Sequence, residues 1–191
     1  NIADVVGHGV AAGLMTLFVK RALITKEILE KSYHILPPNQ ALARLNEDIC
    51  SLELPEHQFV TAAYGMIDIQ TGELTLARGG HPHPLKFDAD GQLSLIETEG
   101  ALLGAFKDVN FGIHHSTLHA GEKLVLYTDG LEQAFGEGSD EQKMIEQVSA
   151  LSVNKSAQEM VDSLSSLLDC QENSLTPADD ITVVVVEAIP D

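Results

Sequence analysis

The sequence is poor in cysteine, in aromatic residues and in basic residues, and each shortage excludes a class of protein. Its two cysteines, Cys50 and Cys170, are too few for a disulfide framework or a zinc set and are typical of a reducing compartment. Tryptophan is absent and aromatic residues make up 5%, so a core must be mostly aliphatic. Lys and Arg number 11 against 29 Asp and Glu, for a net charge of −18. This charge argues against a nucleic-acid binder and against docking to an anionic membrane.

Long apolar runs and targeting signals are also missing. No run reaches the roughly 20 apolar residues that span a bilayer, and no signal peptide is present. We therefore expect a cytoplasmic protein without membrane contact. The chain starts at Asn1 rather than Met, which indicates a fragment of a longer protein. Its 191 residues are 44% hydrophobic and contain no repeat or linker, so we predict a single domain over residues 1–191.

Helical periodicity predicts two helices near the start of the chain and two near its end. The first covers Val10–Lys26, with Leu14, Leu17, Phe18, Arg21 and Ala22 on one face. The second covers Asn39–Leu52, with Ala41, Leu42, Leu45, Ile49 and Leu52 on one stripe. Two late helices are predicted around 140–150 and 157–168, the latter opened by a capping-box spacing of Ser156 and Glu159.

The strands fall in a block between these helices, with one at each end of the chain. The predicted strands are the end of Asn1–Val6, Phe59–Asp68, Gly72–Ala77, Pro84–Phe87, Leu93–Glu97, Val109–Leu118, Lys123–Tyr127 and Ile181–Val186. The last run is almost continuously β-branched, which predicts a central strand buried on both faces. Helices and strands in separate blocks favour an α+β fold with antiparallel sheets.

Aspartates stand at the ends of three apolar strands. Asp4 precedes the turn Gly7-His8-Gly9, Asp129 ends the strand before Gly130, and Asp179 and Asp180 precede the last strand. Each aspartate alone is typical of a turn or cap. If the fold gathers them, their charges repel unless a cation lies between them. Oxygen ligands without cysteine suit Mg²⁺ or Mn²⁺.

Six segments in order carry a family resemblance. They are Asp4-Val-Val-Gly-His-Gly9, Phe59-Val-Thr-Ala-Ala-Tyr-Gly-Met-Ile-Asp68, Gly79-Gly-His-Pro-His-Pro84, Leu102-Leu-Gly104, Leu126-Tyr-Thr-Asp-Gly-Leu-Glu132 and Asp179-Asp-Ile-Thr182. Together they resemble the motifs of the metal-dependent protein phosphatases (PPM, the phosphatase 2C superfamily), in the bacterial SpoIIE/RsbU-like branch. The resemblance implies a four-layer α-β-β-α sandwich of two antiparallel sheets flanked by helices.

The resemblance also implies a reaction and its residues. The reaction is hydrolysis of phosphoserine or phosphothreonine on a partner protein, by water activated between two Mn²⁺ or Mg²⁺ ions. Asp4 would bridge both ions, the Val5 carbonyl would add a ligand, and Asp129 and Asp179 would complete the carboxylates. Further residues placed beside the metals or the substrate are Gly7, His8, Gly9, Gly130, Asp180 and Arg78. Of these, Arg78 is interpreted as an exposed strand arginine that could touch phosphate. His81 and His83, on either side of Pro82, are interpreted as loop structure.

Partners follow from the same resemblance. It implies a phosphorylated STAS-type anti-sigma factor antagonist as substrate, and an upstream sensor or receiver domain like that of a two-component response regulator. The first two helices would receive the sensor's signal, and a homodimer is expected. The chain departs from the family at Ala3 and Val6, and it begins after the strand that carries a further aspartate.

Two alternatives compete with this interpretation. The spacing Gly7-x-Gly9-x-x-Ala12 fits a dinucleotide fingerprint, with Glu27 near the distance of a ribose contact. Pro37-Pro38 and a helix follow where that fold needs a strand, which disfavours it. The second alternative is a phosphatase-fold adaptor that has lost turnover, motivated by the departures and opposed by the retained Asp4, Asp129 and Asp179.

Overall fold

The computed structural model describes residues 1–29, 32–52, 58–135, 141–169 and 179–189. Its elements in chain order are Ile2–Val5 (β1), Val10–Ala22 (α1), Lys26–Leu29 (β2), Ser32–Ile35 (β3), Pro38–Ser51 (α2), Val60–Ile67 (β4), Glu73–Gly79 (β5), Leu85–Phe87 (β6), Leu93–Leu95 (β7), His114–Thr117 (β8), Lys123–Tyr127 (β9), Gly130–Ala134 (α3), Glu141–Ser152 (α4), Ala157–Asp169 (α5) and Val183–Glu187 (β10). The predicted α+β class with antiparallel pairing is confirmed.

The chain divides into two compact units. The first contains Asn1–His81 and Glu97–Ser116, and the second contains Pro82–Ile96 and Thr117–Asp191. That all of residues 1–191 act as one phosphatase-like domain stays a prediction. None of the helices in the described part of the chain is both long enough and apolar enough to cross a membrane.

The first unit is a four-stranded sheet in the order β1-β4-β5-β8, accompanied by α1, α2 and a separate β2–β3 hairpin. As predicted, α2 buries Ala41, Leu42, Leu45 and Ile49, and its cluster includes three side chains from one face of β4: Val60, Ala62 and Tyr64. Leu52 is the exception, because the helix ends at Ser51 and leaves Leu52 exposed.

The predicted inner face of α1 is wrong at Leu14 and Leu17, although its members Phe18 and Ala22 do pack against the core. Leu14 and Leu17 are 63% and 61% exposed, whereas Met15 and Val19 are buried and Phe18 packs against the same core. The error arises because apolar residues occupy both faces of this helix, so the spacing fits two registers. The helix also stops at Ala22 instead of Lys26, and Lys26–Leu29 forms the unpredicted strand β2.

The β2–β3 hairpin and the β1–β4 pairing exclude the dinucleotide-binding fold. Strand β1 pairs antiparallel with β4, and α1 leads into an antiparallel hairpin rather than a parallel strand. Glu27 lies on β2, where its carboxylate forms an ion pair with Arg44 of α2. A βαβ unit requires a parallel crossover, which this connection does not provide.

The second unit is a four-stranded sheet in the order β10-β9-β6-β7, with α3, α4 and α5. Its core joins Phe87 and Val125 of the sheet to Met144 of α4 and Met160 of α5. The predicted capping box is confirmed: the Glu159 carboxylate accepts the backbone N–H of Ser156 at 2.8 Å, and the Ser156 hydroxyl accepts that of Glu159 at 3.3 Å.

The last strand is not the central strand that its sequence predicts. It begins at Val183 rather than Ile181, and it stands at the edge of the described sheet, paired with β9. Val184 is exposed accordingly. A β-branched run therefore identifies a strand here but not its place in the sheet, which depends on pairing with distant residues.

Candidate active site

Asp4 lies within β1, directly opposite Thr61 of β4. Residues directly opposite in an antiparallel pair project from the same face of the sheet. Asp4 and Thr61 therefore share one face, and the alternate residues Val60, Ala62 and Tyr64 share the other, where they cluster with α2. The Asp4 side chain is half-buried on the face away from that helix.

The loop that follows β1 is exposed and depends on glycine. Gly7 has φ 103°, and Gly9 has φ 85° and ψ −157°, conformations that residues with a Cβ rarely adopt. The Gly9 carbonyl accepts the first helical hydrogen bond of α1, from the N–H of Gly13 at 3.1 Å. His8 is exposed between the two glycines. The loop thus turns the chain from Asp4 and Val5 into α1 within four residues.

His81 lies in the loop after β5, as the sequence predicts, but its burial is not predicted. Its side chain is fully buried, and Nδ1 lies 2.9 Å from the Thr61 hydroxyl oxygen. Thr61 carries the one hydroxyl in the otherwise apolar start of β4, on the face of Asp4. That isolated polar position was the signal in the sequence that could have pointed to a buried polar contact.

Arg78 also departs from its prediction as an exposed strand arginine. It is half-buried, Nη1 donates to the carbonyl of His81, and Nη2 donates to that of Thr98 at 2.9 Å. Burial lowers the pKa of its guanidinium group. Arg78 stands opposite Ala63, two residues from Thr61, and so lies on the same sheet face as Asp4. Its hydrogen bonds fix the loop that carries His81.

In the second unit the structure brings Asp129 beside the Asp179–Asp180 pair. Asp129 is the N-cap residue of α3, directly after β9. The buried Thr128 hydroxyl donates to the Asp180 carbonyl at 3.1 Å and accepts the N–H of Thr182 at 2.9 Å. The three aspartates are all exposed. One threonine therefore ties the two aspartate-bearing segments together.

Gly130 sets how closely these segments approach. A Cβ at this position would lie 2.4 Å from the carbonyl oxygen of Asp180, closer than any real contact. The Asp179 carboxylate in turn accepts the backbone N–H of Asp180 at 2.8 Å. The glycine after Asp129 is thus required by space between two backbones, not by an unusual φ.

Negative charge accumulates around Asp129. Glu132 is half-buried, and its pKa is raised by burial and by the charges of Glu141 and Asp129. The pKa of Tyr127 is raised chiefly by its burial, with further contributions from the two glutamates. Such a concentration of acidic groups favours a cation nearby.

The donors fit a hard cation in their chemistry. Asp4, Asp129 and Asp179 offer carboxylate oxygens, and Val5 offers a carbonyl oxygen, the ligand types of Mg²⁺ and Mn²⁺. Within the described residues, no three His, Cys, Asp or Glu side chains form a group that could hold a metal ion. The ligand roles of these aspartates therefore stay predictions.

Solved structures define the class of fold. The RsbU and RsbW domains of a Mycobacterium tuberculosis protein match 99% of this chain and 51% of theirs, with a TM-score of 0.74 and 25% identity. The SiaA-PP2C domain of Pseudomonas aeruginosa matches 97% of this chain and 73% of its own, with a TM-score of 0.75 and 19% identity. The chain therefore has the fold of the PP2C-type phosphatase domains.

The family follows from the sequence. The model of the family "Stage II sporulation protein E (SpoIIE)" matches residues 1–189, so the chain belongs to the SpoIIE family. Phosphoserine phosphatase RsbU of Bacillus subtilis (strain 168) is 29% identical over 191 residues, 97% of this chain and 54% of RsbU. Phosphoserine phosphatase RsbP of the same organism is 29% identical over 133 residues, 68% of this chain and 32% of RsbP. The chain thus spans about half the length of RsbU and about a third of the length of RsbP.

Proposed function

We propose that this protein is a metal-dependent serine/threonine protein phosphatase. The observation that carries the proposal is the SpoIIE-family match across residues 1–189 with aspartates at the three strand ends of the family motifs. Two named relatives, RsbU and RsbP, are phosphoserine phosphatases. The SpoIIE phosphatase domain of Bacillus subtilis was solved after presoaking with manganese, and RsbX was solved in complex with magnesium, which supports Mn²⁺ or Mg²⁺ as the cation.

In this proposal Asp4, Asp129 and Asp179 hold two cations, with the Val5 carbonyl as a further ligand. When bound, Mg²⁺ or Mn²⁺ supplies the positive charge that activates water and stabilises the attacked phosphoryl group. The chain's own residues set the geometry: Gly130 lets Asp129 approach Asp180, and Thr128 holds that approach. Because the chain carries −18 overall, it would repel a phosphorylated substrate without these cations.

The proposed substrate is a phosphoserine or phosphothreonine on a bacterial signalling protein, with a STAS-type anti-sigma factor antagonist as the specific candidate. Support comes from RsbU and RsbP, whose names give phosphoserine as the group removed. An upstream sensor or receiver domain, a homodimer and a cytoplasmic location complete the proposal as predictions.

The deciding experiment measures phosphate release by the full-length protein from an aryl phosphate and from a phosphoserine peptide, with and without Mn²⁺. We expect Mn²⁺-dependent turnover that Asp129→Asn lowers by about 100- to 1,000-fold, a loss of the size seen when one transition-state-stabilising group is removed from a preorganised site. Asp88→Asn is the matched control, since Asp88 only caps a hairpin turn of the same unit by accepting the N–H groups of Asp90 and Gln92.

The adaptor is the alternative outcome of this experiment. It is motivated by the departures from the family pattern at Ala3 and Val6. A folded full-length protein that neither binds Mn²⁺ nor releases phosphate would support the adaptor. Mn²⁺ binding that Asp129→Asn abolishes, without turnover of either generic substrate, would restrict the enzyme to its own protein substrate.

A further inference from the structure

We propose that His81 and Thr61 form a positioning pair for Asp4, holding its carboxylate in the orientation that binds the cation. This inference rests on the proposed function, because it needs Asp4 to be a metal ligand. All three residues belong to the first unit. Neither His81 nor Thr61 touches substrate in this proposal, and both act through Asp4.

The first step is the relation of Thr61 to Asp4. The two residues are directly opposite in the antiparallel β1–β4 pair. Side chains at such positions leave the same face with Cβ atoms about 4.5–5.5 Å apart, within reach of a hydrogen bond between a hydroxyl and a carboxylate. A threonine hydroxyl has one proton to donate and two lone pairs to accept with. Thr61 can therefore serve Asp4 and a second group at once.

The second group is His81. Its Nδ1 lies 2.9 Å from the Thr61 hydroxyl oxygen, and the His81 side chain is fully buried. We assign the ring proton to Nδ1, so that His81 donates to Thr61 and the hydroxyl proton turns toward the Asp4 carboxylate. An oriented donor beside a ligand carboxylate fixes its rotamer and its basicity, as outer hydrogen-bond partners of metal ligands do.

The third step is what holds His81. The Arg78 guanidinium donates one hydrogen bond to the His81 carbonyl and another to the Thr98 carbonyl. These two hydrogen bonds hold the backbone at His81 in place. Gly80, with φ 65°, forms a parallel bridge to Ala62, the residue after Thr61. A Cβ on Gly80 would lie 2.5 Å from the Leu102 side chain, so the loop is tightly packed here. The ring of His81 is thus fixed against the strand that carries Thr61.

The test is Mn²⁺ affinity, measured by calorimetry on the full-length protein. Thr61→Val keeps the shape and removes the hydroxyl, and His81→Leu removes the ring donor. We expect each to weaken Mn²⁺ binding by about 10-fold, the lower end for outer partners of metal ligands. Because the two act in series, the double variant should bind no more weakly than either single variant. Thr61→Ser and His81→Asn, which restore a hydroxyl and a short donor, should recover most of the affinity.

A matched control lies on the same sheet. Thr75 Oγ1 is 3.3 Å from His115 Nδ1, a second Thr–His contact, but Thr75 stands opposite Met66 on the face away from Asp4. Thr75→Val should leave Mn²⁺ affinity unchanged. In turnover assays, saturating Mn²⁺ should restore the kcat of Thr61→Val, whereas a purely structural defect would not respond to the metal.

The outcomes separate this inference from the proposed function. Wild-type protein that binds no Mn²⁺ overturns both. Wild-type protein that binds Mn²⁺, with folded Thr61→Val and His81→Leu binding equally well, overturns the positioning pair and leaves the phosphatase intact. If His81→Leu does not fold, Thr61→Val and its serine rescue decide the question alone.

Discussion

The two units hold their aspartates by different means. In the first unit Asp4 lies inside a strand, where four consecutive residue pairs of the β1–β4 ladder fix its position. In the second, Asp129 and Asp179 lie outside the strands and depend on the Thr128 hydroxyl and on contact between two backbones. A ladder distributes its support over many bonds, whereas the second arrangement depends on single residues. The second unit should therefore be the more sensitive to point substitution.

The glycines beside these aspartates show the same contrast. Gly7 and Gly9 adopt positive φ with open space around them, so the first unit needs their conformational freedom. Gly130 has no such φ, but a Cβ there would meet the Asp180 carbonyl, so the second unit needs its small size. Conformational strain and steric overlap have different costs, and substitution can measure each.

The largest effect is expected for Gly130→Ala. The added Cβ would lie 2.4 Å from a backbone oxygen that cannot rotate away, so α3 or the Asp179–Asp180 segment must move. We expect a loss of about 2–3 kcal/mol in the free energy of unfolding, as for overpacking elsewhere, together with weaker Mn²⁺ binding. Urea denaturation and metal titration measure the two. Wild-type stability and affinity would show that Asp129 does not depend on this contact.

A smaller effect is expected for Gly9→Ala. No atom lies within 4 Å of the new Cβ, so the cost is backbone strain alone. The φ of 85° and ψ of −157° fall in a region almost confined to glycine, and we expect a loss of about 1–2 kcal/mol. Gly13→Ala on α1 is the matched control, because it has the same open space without the positive φ. There alanine should stabilise the helix by about 0.5–1 kcal/mol. Thermal denaturation of both variants tests the contrast, which equal shifts in one direction would contradict.

Much of the fold could be predicted because its signals are local. Strand β9 was predicted at both of its bounds, and the capping box of α5 was predicted at the residues that form it. The buried stripe of α2 follows from one apolar face on a helix whose other face is polar. The face of α1 and the edge position of β10 were not predictable in this way. Both depend on which distant residues pack against or pair with them.

In the candidate site, too, the features that depend on local sequence could be predicted and those that depend on distant residues could not. The sequence predicts Asp4 in the first strand, Asp129 directly after β9, and Asp179 and Asp180 before the last strand, and the metal roles of these aspartates stay predictions. The burial of Arg78 on β5 and of His81 in the loop after it could not be predicted from the local sequence. It results from contacts with Thr61 and Thr98, which are 20 residues away in sequence. Local pattern therefore locates ligand candidates better than the groups that orient them.

The smallest effect concerns one ion pair in each unit. In the second unit Lys86 Nζ lies 2.8 Å from the Glu122 carboxylate, with side chains 17% and 14% exposed. Burial alone would raise the pKa of Glu122, but Lys86 and the backbone N–H of His119 lower it below the usual 4.5. In the first unit Arg44 and Glu27 are 41% and 35% exposed, so solvent weakens their attraction. The buried pair should therefore contribute more to the free energy of unfolding.

Glu122→Gln should lower the free energy of unfolding at pH 7 by about 1.5–2 kcal/mol, the lower end of the range for a hydrogen bond to a charged group. Because the folded pKa of Glu122 is the lower one, this stability is present above about 4.5 and is lost as pH falls through the folded pKa. The variant should thus lose less stability on acidification than the wild type. Glu27→Gln should lower the free energy of unfolding by at most about 0.5 kcal/mol. Urea denaturation at pH 7 and pH values near 4 compares them, and equal losses for both variants would show that burial does not distinguish the two pairs.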